Sequence, residues 1–121
     1  MTNTAETGRL GEELVVQYLR RNGFLIAERN WRNGSHEIDI IALRRGTVHF
    51  VEVKTRSATG LTSPESAFNA AKRRALLRAA AVYMARAGSG CEFQFDLAAV
   101  ELAPDHTHEI RYFESVIESN W

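Results

Sequence analysis

The stretch between His36 and Thr55 limits what this chain can fold into more than any other segment. Two runs alternate as strands do, 36–44 and 47–55, and only Arg45-Gly46 separates them. A two-residue break between strand-like runs predicts an antiparallel β-hairpin. Strand side chains alternate faces, so Glu37, Asp39, Ile41 and Leu43 share one face, while Val48, Phe50, Glu52 and Lys54 share a face of the partner strand. A two-residue turn pairs residues whose numbers sum to 91, which sets Asp39 opposite Glu52 and Glu37 opposite Lys54. A three-residue loop with Gly46 left-handed would instead pair Asp39 with Val51, and arginine at the first turn position tolerates positive φ poorly.

The shared face is apolar near the turn and charged at its far end, so half of the hairpin is covered and half opens onto something polar. Directly opposed residues hold their Cβ atoms about 4.5–5.5 Å apart, and like charges at that distance repel. Burying such acids unpaired is costly as well. A hard cation between them relieves both, since magnesium takes oxygen ligands at about 2.0–2.1 Å. Asp39 and Glu52 are therefore candidate ligands for Mg2+ or Mn2+, with the backbone carbonyl of Val53 as a further ligand. Lys54 is the candidate to activate water or to stabilise charge developing on a phosphate. A solvated strand end with a fortuitous charge network is the plain alternative.

The flanks supply the rest of an α/β unit. Leu10, Leu14, Val15, Tyr18 and Leu19 have helical spacing, which predicts a helix over 5–22 stopped by Gly23. Residues 24–27 predict a short strand, and the turn-rich 30–35 a loop. Ser63-Pro64-Glu65 has the residues of a helix start, and the helix is expected to run to about Ala87. A last long strand is expected over 91–102, and a weak edge strand over 108–113. The predicted order is α-β-β-β-α-β, a mixed central sheet flanked by helices. The 121 residues suit a single domain over 1–121, with a core of about 5–103 and an acidic C-terminal extension over 104–121.

The net charge is zero, but its distribution is not even. Residues 1–90 hold 14 Lys/Arg against 8 Asp/Glu, and residues 91–121 hold 1 against 7, so a basic body carries an acidic tail. A basic body suits a polyanionic partner. On the second helix Lys72, Arg73, Arg74 and Arg78 are candidate phosphate contacts, Arg74 and Arg78 sharing a face while Lys72 and Arg73 point elsewhere. Asn30, Trp31 and Arg32 could form a rim that stacks a base and holds phosphate, or the tryptophan could close the core. Asp96 lies in an apolar strand, where it could pair with an arginine or support the fold. The lone cysteine, Cys91, is expected of a reducing cytoplasm, and no apolar run approaches the ~18 residues of a membrane span.

Several of these residues also carry a resemblance that covers nearly the whole chain. Gly8-Arg-Leu-Gly11-Glu12, Tyr18-Leu19, Arg29-Asn30-Trp31-Arg32, Glu37-Ile-Asp39-Ile-Ile41, Phe50-Val-Glu52-Val-Lys54-Thr-Arg56 and Phe95-Asp96 occur in that order. Together they resemble the YraN family of small bacterial proteins, itself similar to Holliday-junction resolvases and the PD-(D/E)XK nuclease superfamily. The resemblance implies a restriction-endonuclease-like fold and a metal-dependent endonuclease acting on structured or branched DNA. It places Asp39, Glu52 and Lys54 at the superfamily's catalytic positions and Glu12 as an auxiliary acid near the metal. Asn30, Arg32, Arg56, Lys72 and Arg74 are the nucleic-acid contacts expected on this reading. His36 stands where the family usually has glycine. The competing function class is a nucleic-acid-binding or protein-interaction module that keeps the fold without turnover. A homodimer, and a protein partner needed for activity, are further expectations.

Overall fold

The computed structural model describes residues 4–57, 69–87 and 91–117. The elements are α1 (Thr4–Arg21), β1 (Leu25–Asn33), β2 (His36–Arg44), β3 (Thr47–Ser57), α2 (Ala70–Ala87), β4 (Glu92–Leu102) and β5 (His108–Phe113). The strands form one sheet in the order β1-β2-β3-β4-β5. All neighbours are antiparallel except β3 and β4, which are parallel with α2 between them in the chain. This mixed sheet with a helix on each face is consistent with a restriction-endonuclease-like fold.

Two apolar layers hold the sandwich. On one face Val15, Val16 and Leu19 of α1 pack with Ile40, Ala42, Val51, Ala98 and Val100. On the other Leu76, Ala79 and Ala80 of α2 pack with Ile41, Val48, Phe50 and Phe95. Helix α1 ends because Gly23 takes φ 85, a left-handed conformation that suits glycine. The Phe24 N–H then reaches the Leu19 carbonyl at 3.0 Å and the Gly23 N–H reaches Arg20 at 3.2 Å, the two bonds of a Schellman cap.

The β2–β3 hairpin has the register of a two-residue turn: Arg44 faces Thr47, Leu43 faces Val48, Ile41 faces Phe50 and Ile40 faces Val51. Arg45 and Gly46 have φ of 52 and 77, so both central residues are left-handed as a type I′ turn demands. The turn matches the right-handed twist of the strands, and that match offsets the strain at Arg45.

Two local expectations are corrected. The segment 30–35 is not a loop, because β1 runs on to Asn33 and only Gly34 and Ser35 form the turn. As the edge strand, β1 is mostly polar, with a bulge between Ile26 and Glu28 and a positive φ of 50 at Asn30. Such a strand lacks the alternation by which strands are recognised. The described part of α2 begins at Ala70, where the Asn69 side chain caps the Lys72 N–H at 3.0 Å. The helix start expected at Ser63-Pro64-Glu65 lies outside the described residues. Beyond residue 103, β5 pairs with β4 from Leu102/His108 to Leu97/Phe113, and Tyr112 packs against the α1-side core.

Helix α1 meets β3 at Gly11, where a Cβ would lie 1.7 Å from Thr55 Oγ1 and 2.8 Å from Thr55 Cβ. Rotating the threonine would not clear its own Cβ, so the helix would have to move. Gly11→Ala is expected to lose about 1–3 kcal/mol of stability by overpacking, despite alanine's better helix propensity. A urea melt measures this, and an unchanged midpoint would contradict the close approach.

Candidate active site

The site arises where the hairpin stops being regular. Pairing of β2 with β3 ends at Ile40/Val51, one position short of Asp39 and Glu52. In place of a further ladder bond, the Asp39 carboxylate accepts the Val53 N–H at 2.8 Å. The pleat breaks at the same point. Ile38 packs into the α2-side cluster and Ile40 into the α1-side cluster, although residues two apart on a strand should share a face. Asp39 therefore ends the ladder with its own side chain, and Glu52 stands beside it with only 15 % of its side chain exposed.

Helix α2 forms the opposite wall. Lys72 is four residues before the buried Leu76, so both lie on the stripe that faces the sheet. The Lys72 Nζ is 3.6 Å from Glu52 Oε1. A cleft of about 200 Å³ lies between, with Asp39, Glu52 and Glu37 on the sheet side and Lys72 and Arg78 on the helix side. Ser35 and His36, from the β1–β2 turn, complete the rim. Lys72 and Arg78 both line the cleft, although Lys72 was expected to point away from Arg78, and Arg74 lies outside the lining.

Burial pushes the Glu52 carboxyl up to about 7, and the adjacent Asp39 charge adds to it, while Lys72 and Lys54 oppose. Burial also raises Asp39, where the Val53 N–H, Lys72 and Lys54 pull the other way and Glu37 adds to the rise. A donor N–H favours the ionised form, so the Val53 bond opposes burial at Asp39. Glu12 is raised as well, first by burial and then by Asp39, and its carboxyl is hydrogen-bonded to Asn30. Its neighbour Glu13 turns outward, 2.8 Å from Arg29.

The remaining sequence candidates spread around this centre. Lys54 is half-buried on β3 and acts on both acids by charge, but stands outside the cleft lining. Val53, expected to offer its carbonyl, is joined to Asp39 through its N–H. Asn30 serves Glu12. Arg32 is exposed and lies 3.7 Å from Glu37 across the β1–β2 turn. Arg56 is half-buried, two residues beyond Lys54. Trp31 sits edge-on to Tyr83 of α2, 5.6 Å between ring centres, and packs against the core.

A second polar cluster lies beside the α1-side core, next to Phe24 and Tyr112. Asp96 is fully buried, with His49 Nδ1 2.7 Å away and His49 itself 3 % exposed. The carboxylate also accepts from Tyr112 Oη, from Gln94 Nε2 at 2.9 Å and from the Ser115 N–H at 3.0 Å. Glu114 joins through Gln94 at 3.2 Å and is met by Arg44 at 3.4 Å, whose guanidinium lies 4.0 Å over the Phe24 ring. His49, Asp96 and Glu114 bring ligand atoms within 4.8 Å of one another, a spacing that could hold a metal ion. Asp96's oxygens already have four donors and Arg44 already balances Glu114, so hydrogen bonds satisfy the cluster from within. Asp96 was expected to find an arginine partner or to support the fold; its donors are histidine, tyrosine, amide and backbone N–H. His49, Gln94, Tyr112 and Glu114 are members that sequence reading did not single out.

Residues 11–100 match the family described as Uncharacterised protein family UPF0102. The chain belongs to this family, the YraN family that its motifs resemble. A UPF0102 protein of Chlorobium chlorochromatii is 40% identical, covering 98% of this chain and 94% of the relative. One from Symbiobacterium thermophilum is 39% identical over 93% of this chain and 96% of its own length. One from Nitratidesulfovibrio vulgaris is 46% identical over 78% and 71% respectively. Among the described residues, no helix of this UPF0102 chain is long and apolar enough to cross a membrane.

Proposed function

We propose that this UPF0102 protein is a cytoplasmic metal-dependent endonuclease that hydrolyses phosphodiester bonds in structured or branched DNA, using Mg2+ or Mn2+. The observation that carries the reading is the buried pair Asp39 and Glu52, set where the hairpin opens and faced by a cationic helix wall. The acids of the cleft, Asp39, Glu52 and Glu37, offer carboxylate oxygens, which suits a hard divalent ion. Asp39 and Glu52 would hold it, with the Val53 carbonyl and Glu12 as further donors. Such an ion, when bound, supplies Lewis acidity to a phosphate and a hydroxide at neutral pH. Lys54 would orient the attacking water from the β3 side. Lys72 and Arg78 would take the flanking phosphates, and Arg32, Arg56 and Arg74 would extend that contact along the strand, with Asn30 holding Glu12 in place.

Calorimetric titration with Mn2+ tests the ion site. Wild type is expected to bind, and Asp39→Ala to bind at least about tenfold more weakly; equal affinity in both would remove the site. Linear, flapped and four-way DNA with Mg2+, beside Lys54→Ala, then tests turnover. Cleavage by wild type that the lysine variant lacks supports the nuclease, whereas binding without cleavage marks a non-catalytic nucleic-acid-binding module. Preference for four-way DNA would call for a two-fold homodimer.

A further inference from the structure

We propose that Lys72 is the resident counter-cation of the site: its ammonium holds the place beside Glu52 that a divalent ion must take, and once displaced it becomes a phosphate contact of the α2 wall. The inference rests on the metal-ion reading of Asp39 and Glu52 and deepens it.

Three observations carry it. The Lys72 ammonium is 3.6 Å from Glu52 Oε1, inside the cleft that Asp39 and Glu52 also line, whereas Lys54 stands outside that lining. Lys72 also sits three residues after the Asn69 cap, in the first turn of α2, which holds no acid. A cation there is opposed by the helix dipole, which favours negative charge at this end. A residue that breaks a local rule of helix design is explained by something outside the helix, and here that is the pair of buried acids. Finally, 46% of the Lys72 side chain remains exposed, so its flexible stem has solvent to swing into.

The arrangement solves a problem of the ion-free protein. Two adjacent carboxylates out of water need a positive charge nearby, and Lys72 supplies it, with a larger effect than Lys54 on both acids. A divalent ion on the same Glu52 oxygen would repel an ammonium held that close, so the two are alternatives. Lys72 then leaves Glu52 and points its charge at the next polyanion within reach.

Mn2+ affinity of wild type, Lys72→Met and Lys72→Arg, measured by calorimetry, tests the exchange. Lys72→Met is expected to bind about tenfold tighter or more than wild type, because it loses the competitor, and Lys72→Arg to stay near wild type. Affinity of Lys72→Met equal to or weaker than wild type would overturn the proposal. The salt dependence of DNA binding tests the second half. In Ca2+ the wild-type slope of log K against log salt should exceed that of Lys72→Met by about 0.9, one phosphate contact, and in EDTA the two slopes should agree. The same difference with and without Ca2+ would show that Lys72 never leaves the phosphate. Absence of Mn2+ binding by wild type and Lys72→Met alike would instead sink the ion site itself.

Discussion

Asp96→Ala is expected to remove about 3–5 kcal/mol of stability, the usual loss when one partner is taken from a buried ionic or hydrogen-bonded pair. The substitution orphans His49, Tyr112, Gln94 and the Ser115 N–H together, and only His49 and Asp96 are themselves fully enclosed. A small domain has only about 5–15 kcal/mol in total, so the urea midpoint should fall by a molar or more at ordinary slopes. Acid titration gives an independent reading. Burial pushes the Asp96 carboxyl up, but the donors from His49, Tyr112, Gln94 and Ser115 outweigh it and hold the group below its ordinary value. A group whose folded value is depressed stabilises the fold above its unfolded value, and that stabilisation is lost as pH falls through the folded one. Wild type should therefore lose stability on its acid side through a limb that Asp96→Ala lacks. A variant within 1 kcal/mol of wild type at pH 7 would mean that the network is decorative.

Glu52→Gln is expected to move stability and cleavage in opposite directions. In the ion-free protein the Glu52 carboxyl is raised to about 7 from an ordinary 4.5. Because the folded value is the higher one, the folded state holds the proton longer. Its stability is full below pH 4.5 and declines between about 4.5 and 7. At about 1.4 kcal/mol per unit, the decline is on the order of 3 kcal/mol. Glutamine has no charge to bury, so Glu52→Gln should be more stable than wild type at pH 8 by about that amount and equal to it at pH 4. Added Mn2+ should raise the wild-type melting temperature and leave the variant's where it was. Cleavage should drop by about 10²–10³ or more, the range for removing one preorganised charge-stabilising group. Thermal melts at the two pH values, with and without Mn2+, read the first part. A variant less stable than wild type at pH 8 would show that Glu52 is not strained by its burial.

The parts of this fold that were readable were those in which local chemistry and packing agree. The two-residue break at Arg45-Gly46 sets the register from Arg44/Thr47 to Ile40/Val51, β4 announces itself by its apolar run, and β5 by the turn residues before it. Strand β1 was not readable past Ala27, because an exposed edge strand with a bulge has no apolar period to detect. The wall of the cleft was only partly readable, for a related reason. Helix α2 is rich in alanine, so no strong apolar stripe marks its buried face, and nothing in the sequence alone ties Lys72 to the side of Leu76 and Ala79. The cluster around Asp96 draws on β3, β4, β5 and the turn after it, so no single stretch of sequence contains it. Its one trace was an aspartate in the middle of an apolar strand.

The close approach of Gly11 to Thr55 has a consequence beyond stability. Glu12 follows the glycine, and Lys54 precedes the threonine. The absence of one methyl group therefore acts as a gauge, setting how far the acid on the helix stands from the amine on the strand. Side chains of graded size at position 11 would dial that gap without altering a single charged residue.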